Sequence, residues 1–316
     1  MADTRRADAM GEPVNISVIG AGLMGHGIAA SFARAGHSVS VFDTIPDSLA
    51  SLQGRAAASL ATLGLSGEQS ETAAALITPV ADIRECVADA AFVVEAAPEN
   101  LELKQKIFGD LEEAVPTDCI LASNTSVIPI TAIVEGMETP QRALGTHWWN
   151  PPHLIPLVEV IRTQWTSDAA MDTAMMLMQS IGKTPVRVEK DVPGFIGNRL
   201  QHALWREAIS LVENGICDAA AVDTVINSSF GRRLTVLGPL ANADLVGTDL
   251  TLAIHQTVLQ DLEASGTPSP YLENLVEEGR LGMKSGEGFY QWTPETADAL
   301  RKRVSDHLGK LETILD

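Results

Sequence analysis

The chain has 316 residues, is 45% hydrophobic, and sets 41 Asp and Glu against 22 Lys and Arg, a formal charge of −19. That charge argues against a nucleic-acid partner, whose phosphates demand a basic surface, and no apolar run approaches the ~18–20 residues of a membrane span. Three scattered cysteines, Cys86, Cys119 and Cys217, make neither a disulfide frame nor a zinc site, so a reduced, cytoplasmic protein without a metal is expected.

Residues 1–13 are polar, lack the apolar core of a secretory signal, and read as a flexible leader. Val14-Asn-Ile-Ser-Val-Ile19 is then a short apolar strand. Gly20-Ala-Gly-Leu-Met-Gly25 follows at once, and Ile28 to Ala35 reads as a helix closed by Gly36. A second strand, Ser38 to Phe42, ends in Asp43. A glycine-rich turn between strand and helix, with an acid at the end of the next strand, is a dinucleotide fingerprint. Gly20 permits the tight turn, Gly22 lets the backbone reach a pyrophosphate, and Gly25 lets the helix lie close to the sheet. Leu23 and Met24 belong to the same cofactor turn. Asp43 would accept hydrogen bonds from the adenosine ribose. No Lys or Arg lies between Asp43 and Arg55 to hold a 2′-phosphate, so the cofactor expected is NAD.

Residues 46–76 predict two alanine-rich helices around the break Gly64-Leu-Ser-Gly67. Ala91 to Ala96 is a further strand, running into Pro98 to Phe108, a capped amphipathic helix. Cys119 to Ser126 is another strand, ending in four polar residues, and Thr184 to Glu189 makes a last one. In a doubly wound sheet, ligands lie beyond the carboxyl ends of the strands. Asp43, Glu95, Ser123 to Ser126 and His147 all fall at such ends.

His147 closes an apolar run, and Asn150-Pro151-Pro152 stops that strand, because proline has no N–H for a sheet. The chain restarts as Leu154 to Ile161 with one carboxylate, Glu159, inside the run. A buried carboxylate needs a partner, and a histidine held by it has a fixed tautomer suited to general-base work.

Lys190-Asp-Val-Pro-Gly194 marks the boundary between an NAD-binding domain, 14–190, and a helical C-terminal domain for substrate and dimerisation, 191–316. Helices are predicted over 195–214, 218–226, 239–264, 270–279 and 294–314, with Asn198 in the first turns of the first. So many apolar helices in little more than a hundred residues predict a homodimer. The fold class expected is α/β, a Rossmann-type doubly wound sheet followed by an all-α C-terminal domain.

From Ile16 to about Trp292 the sequence resembles the 3-hydroxyacyl-CoA dehydrogenase family. The resemblance rests on Gly20-Ala-Gly-Leu-Met-Gly25, Pro98-Glu-Asn-Leu101, Ser123-Asn-Thr-Ser126, His147-Trp-Trp-Asn-Pro151, Leu157-Val-Glu-Val160, the run Asp191 to Leu200, and Lys284 to Tyr290. It implies that His147 is the catalytic base, that Glu159 orients it, and that Ser126 and Asn198 belong to the substrate site. It further implies that Asp43, Glu99, Lys104, Asn150 and Lys284 contact NAD. The implied reaction takes a proton from an alcohol while hydride passes to the nicotinamide.

The chain also departs from the pattern of the acyl-CoA enzymes. Those carry a lysine-rich helix after the second strand, whereas residues 44–83 hold one basic residue, Arg55. Trp148-Trp149 stands where two phenylalanines are usual, and Leu237-Gly-Pro-Leu240 where Met-Gly-Pro-Phe is usual. These features resemble branches acting on free hydroxy acids, such as gulonate, carnitine and pyridine-carboxylate dehydrogenases and λ-crystallin. A small free hydroxy acid is therefore favoured as substrate, with Arg232 and Arg233 as a candidate carboxylate clamp. A short-chain 3-hydroxyacyl-CoA is the alternative. A non-catalytic NAD-binding or structural protein is a third reading, against which the His147–Glu159 pair speaks.

Overall fold

The computed structural model describes residues 12–315, so nearly all of the leader expected over 1–13 lies outside the described residues. Two compact units emerge. One runs to Asn198 and takes up the chain again from Arg303, and the other is Arg199–Lys302.

The first unit is built on one eight-stranded sheet. Its strands are β1 (Asn15–Ile19), β2 (Ser38–Phe42), β3 (Ile77–Val80), β4 (Phe92–Glu95), β5 (Ile120–Ser123), β6 (Ala143–Trp148), β7 (Leu157–Ile161) and β8 (Thr184–Val188). They lie in the order β3-β2-β1-β4-β5-β6-β7-β8. The first six are mutually parallel, in the 3-2-1-4-5-6 order of dinucleotide-binding sheets. β7 runs antiparallel to β6, and β8 is parallel to β7. No strand is expected from the sequence at β3. It is a short edge strand containing Pro79, and a proline in an apolar run weakens the strand signal.

Side chains alternate between the two faces of each strand, and the core divides accordingly. Ile16, Val18, Val94, Leu144, Trp148 and Val158 pack on one face, against the helices Gly25–Arg34 and Asp168–Ser180. Ile19, Val93, Leu121, Ala143 and Ile161 pack on the other, with Phe108 and Leu111 of the helix Leu101–Ala114 and with Phe195. The parity that gives Val93, Leu121, Ala143 and Ile161 also gives Glu95, Ser123, His147 and Glu159. Four polar side chains at neighbouring strand ends thus share one face.

The helix Leu101–Ala114 starts where Asn100 accepts a hydrogen bond from the Leu103 N–H. It carries Lys104 into that face. The Lys104 side chain is 1% exposed and its Nζ lies 2.7 Å from Glu95 Oε1. The other Glu95 oxygen accepts from the Ser123 hydroxyl at 2.6 Å. A fully buried ion pair survives only with such supporting bonds.

On the opposite face, Gly27 in the helix Gly25–Arg34 makes room for the loop after β6. A Cβ at Gly27 would stand 2.6 Å from Pro152 Cγ and 3.3 Å from His153 Nδ1. The peptide bond Asn150–Pro151 is cis. Lys183 ties the loop down, donating to the carbonyls of Pro152 and Ile155 at 2.6 and 3.0 Å. Burial pushes the pKa of His153 from 6.5 down to about 4, with His26 and Lys183 adding to the effect.

The second unit is helical, with Ala219–Ser228, Pro239–Val246, Thr248–Val258 and Pro270–Glu277 following most of Gly197–Glu213. The single helix expected over 239–264 is two, because Gly247 adopts φ +102 between them, a conformation that breaks helical hydrogen bonding. Among the described residues, only Leu275 and Ala297 of this unit are buried apolar residues. Trp205, Leu240, Leu252 and Ile254 are exposed. A groove of ≈ 1380 Å³ is lined by Trp205, Ile209, Val212, Leu272 and Phe289. No helix among the described residues is long and apolar enough to cross a membrane.

Lys104→Met leaves Glu95 charged, buried and unpaired, and should cost about 3–5 kcal/mol in urea unfolding. Lys104→Met with Glu95→Leu should recover most of that loss. A second expectation concerns acid. His153 takes up a proton near pH 6.5 when unfolded but only near pH 4 when folded, so stability falls as pH drops through that window. His153→Leu should flatten the fall in urea midpoint between pH 7 and 5. His26 and His37, whose pKa values burial also lowers, contribute to the slope that remains.

Candidate functional site

The fingerprint turn closes over Gly20, whose φ is +108 and whose absent Cβ would lie 2.7 Å from the Ala96 carbonyl oxygen. Gly25 has no room for a side chain, since a Cβ there would meet the Gly20 carbonyl oxygen at 1.7 Å. Gly22, by contrast, faces open space. The helix begins at Gly25, three residues before the apolar pattern suggested, with Met24 at its cap and no capping side chain. Leu23 is exposed. Such an uncapped start, with its N–H groups and dipole, suits a pyrophosphate.

Asp43 sits against this turn. Its Oδ2 accepts from the Ala21 N–H at 2.6 Å and its Oδ1 from the Ile45 N–H at 2.8 Å. Arg55 reaches the same turn from a distant helix. Its Nη2 donates to the carbonyls of Ala21 and Ser48, each at 2.7 Å, and its Nε to the Ser51 hydroxyl at 3.1 Å. The glycine turn, an adjacent carboxylate and an open Gly22 fit a bound dinucleotide.

β6 and β7 supply the second half of the site. Their antiparallel register sets His147 directly opposite Glu159, and His147 Nδ1 lies 2.7 Å from Glu159 Oε2. Both side chains are buried. The other oxygen, Oε1, accepts from the backbone N–H groups of Ile196 and Gly197 at 2.9 and 3.0 Å. A left-handed pair, Gly194 at φ +75 and Phe195 at φ +50, aims those two groups. Burial pushes the Glu159 carboxyl upward, but donation from His147, Gly197 and Ile196 outweighs it and holds the group below the usual carboxylate range. An ionised Glu159 accepts from Nδ1–H, which leaves Nε2 of His147 with its lone pair.

The loop after β5 forms the third part. Glu99 Oε1 accepts from the Thr125 hydroxyl and the Ser126 N–H, both at 2.6 Å, and from the Val127 N–H at 3.3 Å. Lys104 stands 3.3 Å from Glu99 Oε2. Desolvation works against the charged form of Glu99, yet these donors and Lys104 lower its pKa. Asn124 Oδ1 accepts from the Trp148 N–H at 2.9 Å, tying this loop to the end of β6. Asn198 Nδ2 donates to the Ser126 carbonyl at 3.0 Å.

The structure therefore brings together His147 with Glu159, Ser126 with Asn198, and Glu99 with Lys104. Lys104 is buried in its ion pairs, and Asn150 is exposed beside Pro151. Lys284, Arg232 and Arg233 are exposed and belong to the other unit, Arg232 closing a short 3-10 helix, Phe230–Arg232. Six residues take part that the sequence does not point to as partners. Glu95 pairs with Lys104, Arg55 clamps the glycine turn, Trp149 and Phe195 flank His147, and the Ile196 and Gly197 amides hold Glu159. The spacing of Glu95 and Lys104 across a loop gives no periodic signal. The tandem Gly194 and Gly197 was the available hint that backbone amides are presented there.

The family descriptions "3-hydroxyacyl-CoA dehydrogenase, NAD binding domain" and "3-hydroxyacyl-CoA dehydrogenase, C-terminal domain" match residues 15–192 and 194–292. The chain is 36% identical over 305 residues to 5-formyl-3-hydroxy-2-methylpyridine 4-carboxylate 5-dehydrogenase of Mesorhizobium japonicum, covering 96% of this chain and 98% of the relative. It is 38% identical to a probable 3-hydroxybutyryl-CoA dehydrogenase of Deinococcus radiodurans, over 88% of this chain and 100% of the relative. It is 39% identical to L-carnitine dehydrogenase of Streptomyces griseus, over 73% of this chain and 69% of the relative. A crystal structure of the pyridine-carboxylate 5-dehydrogenase, described as an NAD+ dependent dismutase, superposes with a TM-score of 0.89 at 35% identity, covering 96% of this chain and 99% of that one. The chain belongs to the 3-hydroxyacyl-CoA dehydrogenase family and is an NAD-dependent oxidoreductase acting on CH–OH groups.

Proposed function

We propose that the chain oxidises the hydroxyl of a small free hydroxy acid, with His147 as general base and Glu159 as the carboxylate that orients it. The observation that carries this reading is the buried contact of 2.7 Å between His147 Nδ1 and Glu159 Oε2. His147 Nε2 takes the hydroxyl proton as the carbinol carbon loses hydride, and the imidazolium that forms is neutralised by Glu159. Bound NAD supplies the hydride acceptor. Ser126 and Asn198 position the substrate, and Gly20, Gly22, Leu23, Met24, Gly25, Asp43, Glu99, Lys104, Asn150 and Lys284 serve the cofactor. Residues 14–190 carry the cofactor, and 191–316 serve substrate and dimerisation.

The preference for a free acid rests on charge. Residues 44–83 contain Arg55 alone as a basic side chain, and its guanidinium is committed to the Ala21 and Ser48 carbonyls. The phosphates of a CoA thioester would meet no other cation on that segment. Relatives named for carnitine and a pyridine carboxylate fit the same reading. Arg232 and Arg233 are proposed as the clamp for the substrate carboxylate. The relatives named as 3-hydroxybutyryl-CoA dehydrogenases support the alternative, a short-chain thioester. We also propose a cytoplasmic homodimer, in which a second copy covers exposed apolar side chains of the second unit such as Trp205, Leu240, Leu252 and Ile254.

NADH formation should be followed with 3-hydroxybutyryl-CoA in one series and carnitine, gulonate and hydroxymethyl-pyridine carboxylates in another. Turnover of a free acid alone is expected, abolished by His147→Ala with NAD binding retained. Turnover of the thioester alone would overturn the charge argument, and turnover by His147→Ala would overturn the base. Light scattering should return twice the chain's 33.6 kDa, and a monomeric mass would remove the dimer.

A further inference from the structure

Trp148 ends β6 and Trp149 follows it, and the two have separate surroundings. Trp148 is buried in the core, its ring 5.7 Å from that of Phe32. Trp149, half-buried, lies beside His147, with ring centroids 5.4 Å apart and planes tilted by 53°. Phe195 stands to His147 at 5.5 Å and the same 53°. The indole Nε1–H of Trp149 donates to Glu159 Oε2 at 3.4 Å, the same oxygen that accepts from His147. Gly197 makes the space, since a Cβ there would stand 2.4 Å from Trp149 Cζ2.

Glu159 therefore has four donors, two on each oxygen. The terminal torsion of a glutamate is soft and roughly two-fold. One histidine on one oxygen would leave the carboxylate free to rock. The amides of Ile196 and Gly197 anchor Oε1, and the indole bond closes the remaining freedom at Oε2. A phenylalanine at this position, as the family resemblance implies is usual, would wall the histidine but offer no donor.

We propose that Trp149 is a positioning residue, whose indole N–H holds Glu159 and, through it, the His147 ring in line for proton transfer. The proposal rests on the reading of His147 as the base. Small misplacements of a catalytic group carry large rate penalties, and a long hydrogen bond to an ion contributes modestly. Trp149→Phe keeps an aromatic wall and removes the donor. It should lower kcat roughly 3- to 10-fold with KM for NAD unchanged. Trp149→Phe should lower kcat little further when combined with Glu159→Gln, because both changes break one linkage.

A readout free of turnover is available by NMR on the protein without substrate. Among the indole N–H resonances of the five tryptophans, Trp149's is the one missing from Trp149→Phe. Glu159→Gln should shift it, and Trp149→Phe should shift the His147 Nδ1–H resonance. An indole resonance indifferent to Glu159→Gln would overturn the proposal while leaving His147 as base, as would losses that add in the double variant. Retained turnover in His147→Ala would remove the reading beneath it, an outcome the two resonances distinguish from a missing indole bond.

Discussion

A carboxylate inside a sheet remains ionised only where donors surround it, and Glu159 meets that condition from three directions. β6 brings His147 across the ladder, the turn after β8 brings two backbone amides, and the end of β6 brings an indole. Each contribution depends on a separate local choice. The antiparallel course of β7 sets the register. The left-handed Gly194 and Phe195 aim the amides, and Gly197 leaves room for the ring.

A second buried charge system lies on the same face. Glu95 and Lys104 form its centre, and Glu99 extends it to the loop that carries Thr125 and Ser126. Its effect is to hold a loop. Glu99 gathers three donors from consecutive residues, 125 to 127, and so shapes the backbone that Asn198 meets through the Ser126 carbonyl. The two systems share a face because residues of one parity on β4, β5, β6 and β7 point the same way. Ionic interior groups here give the strand ends a single shape at the cost of desolvation.

Much of this was legible beforehand. The strand, glycine turn, helix and terminal acid of the fingerprint are contiguous, and each follows from local chemistry. His147 and Glu159 stood out because a polar residue in an apolar run is conspicuous. What escaped was of three kinds. The direction of β7 left no mark, since an apolar strand reads alike in either sense. β3 and the break at Gly247 were lost to short length and to one glycine within an apolar stretch. The partners of Lys104, expected at the cofactor, and of Arg55, the lone basic residue of 44–83, left no local signal. Only the tertiary fold brings Glu95 beneath the one and the Ala21 carbonyl within reach of the other.

The two amides that hold Glu159 have a bearing on how such chains recombine. They lie beyond β8, after the last strand of the sheet, yet the carboxylate they serve is inside it. A cut just after Val188 would preserve every strand, the fingerprint and the His147–Glu159 register, and would still strip the carboxylate of half its donors. An exchange of helical halves between relatives must therefore carry the segment through Asn198 together with the sheet. Where the incoming segment lacks a glycine at 197, the indole of Trp149 has no place to lie. The heritable module is defined by these hydrogen bonds and not by the end of the last strand.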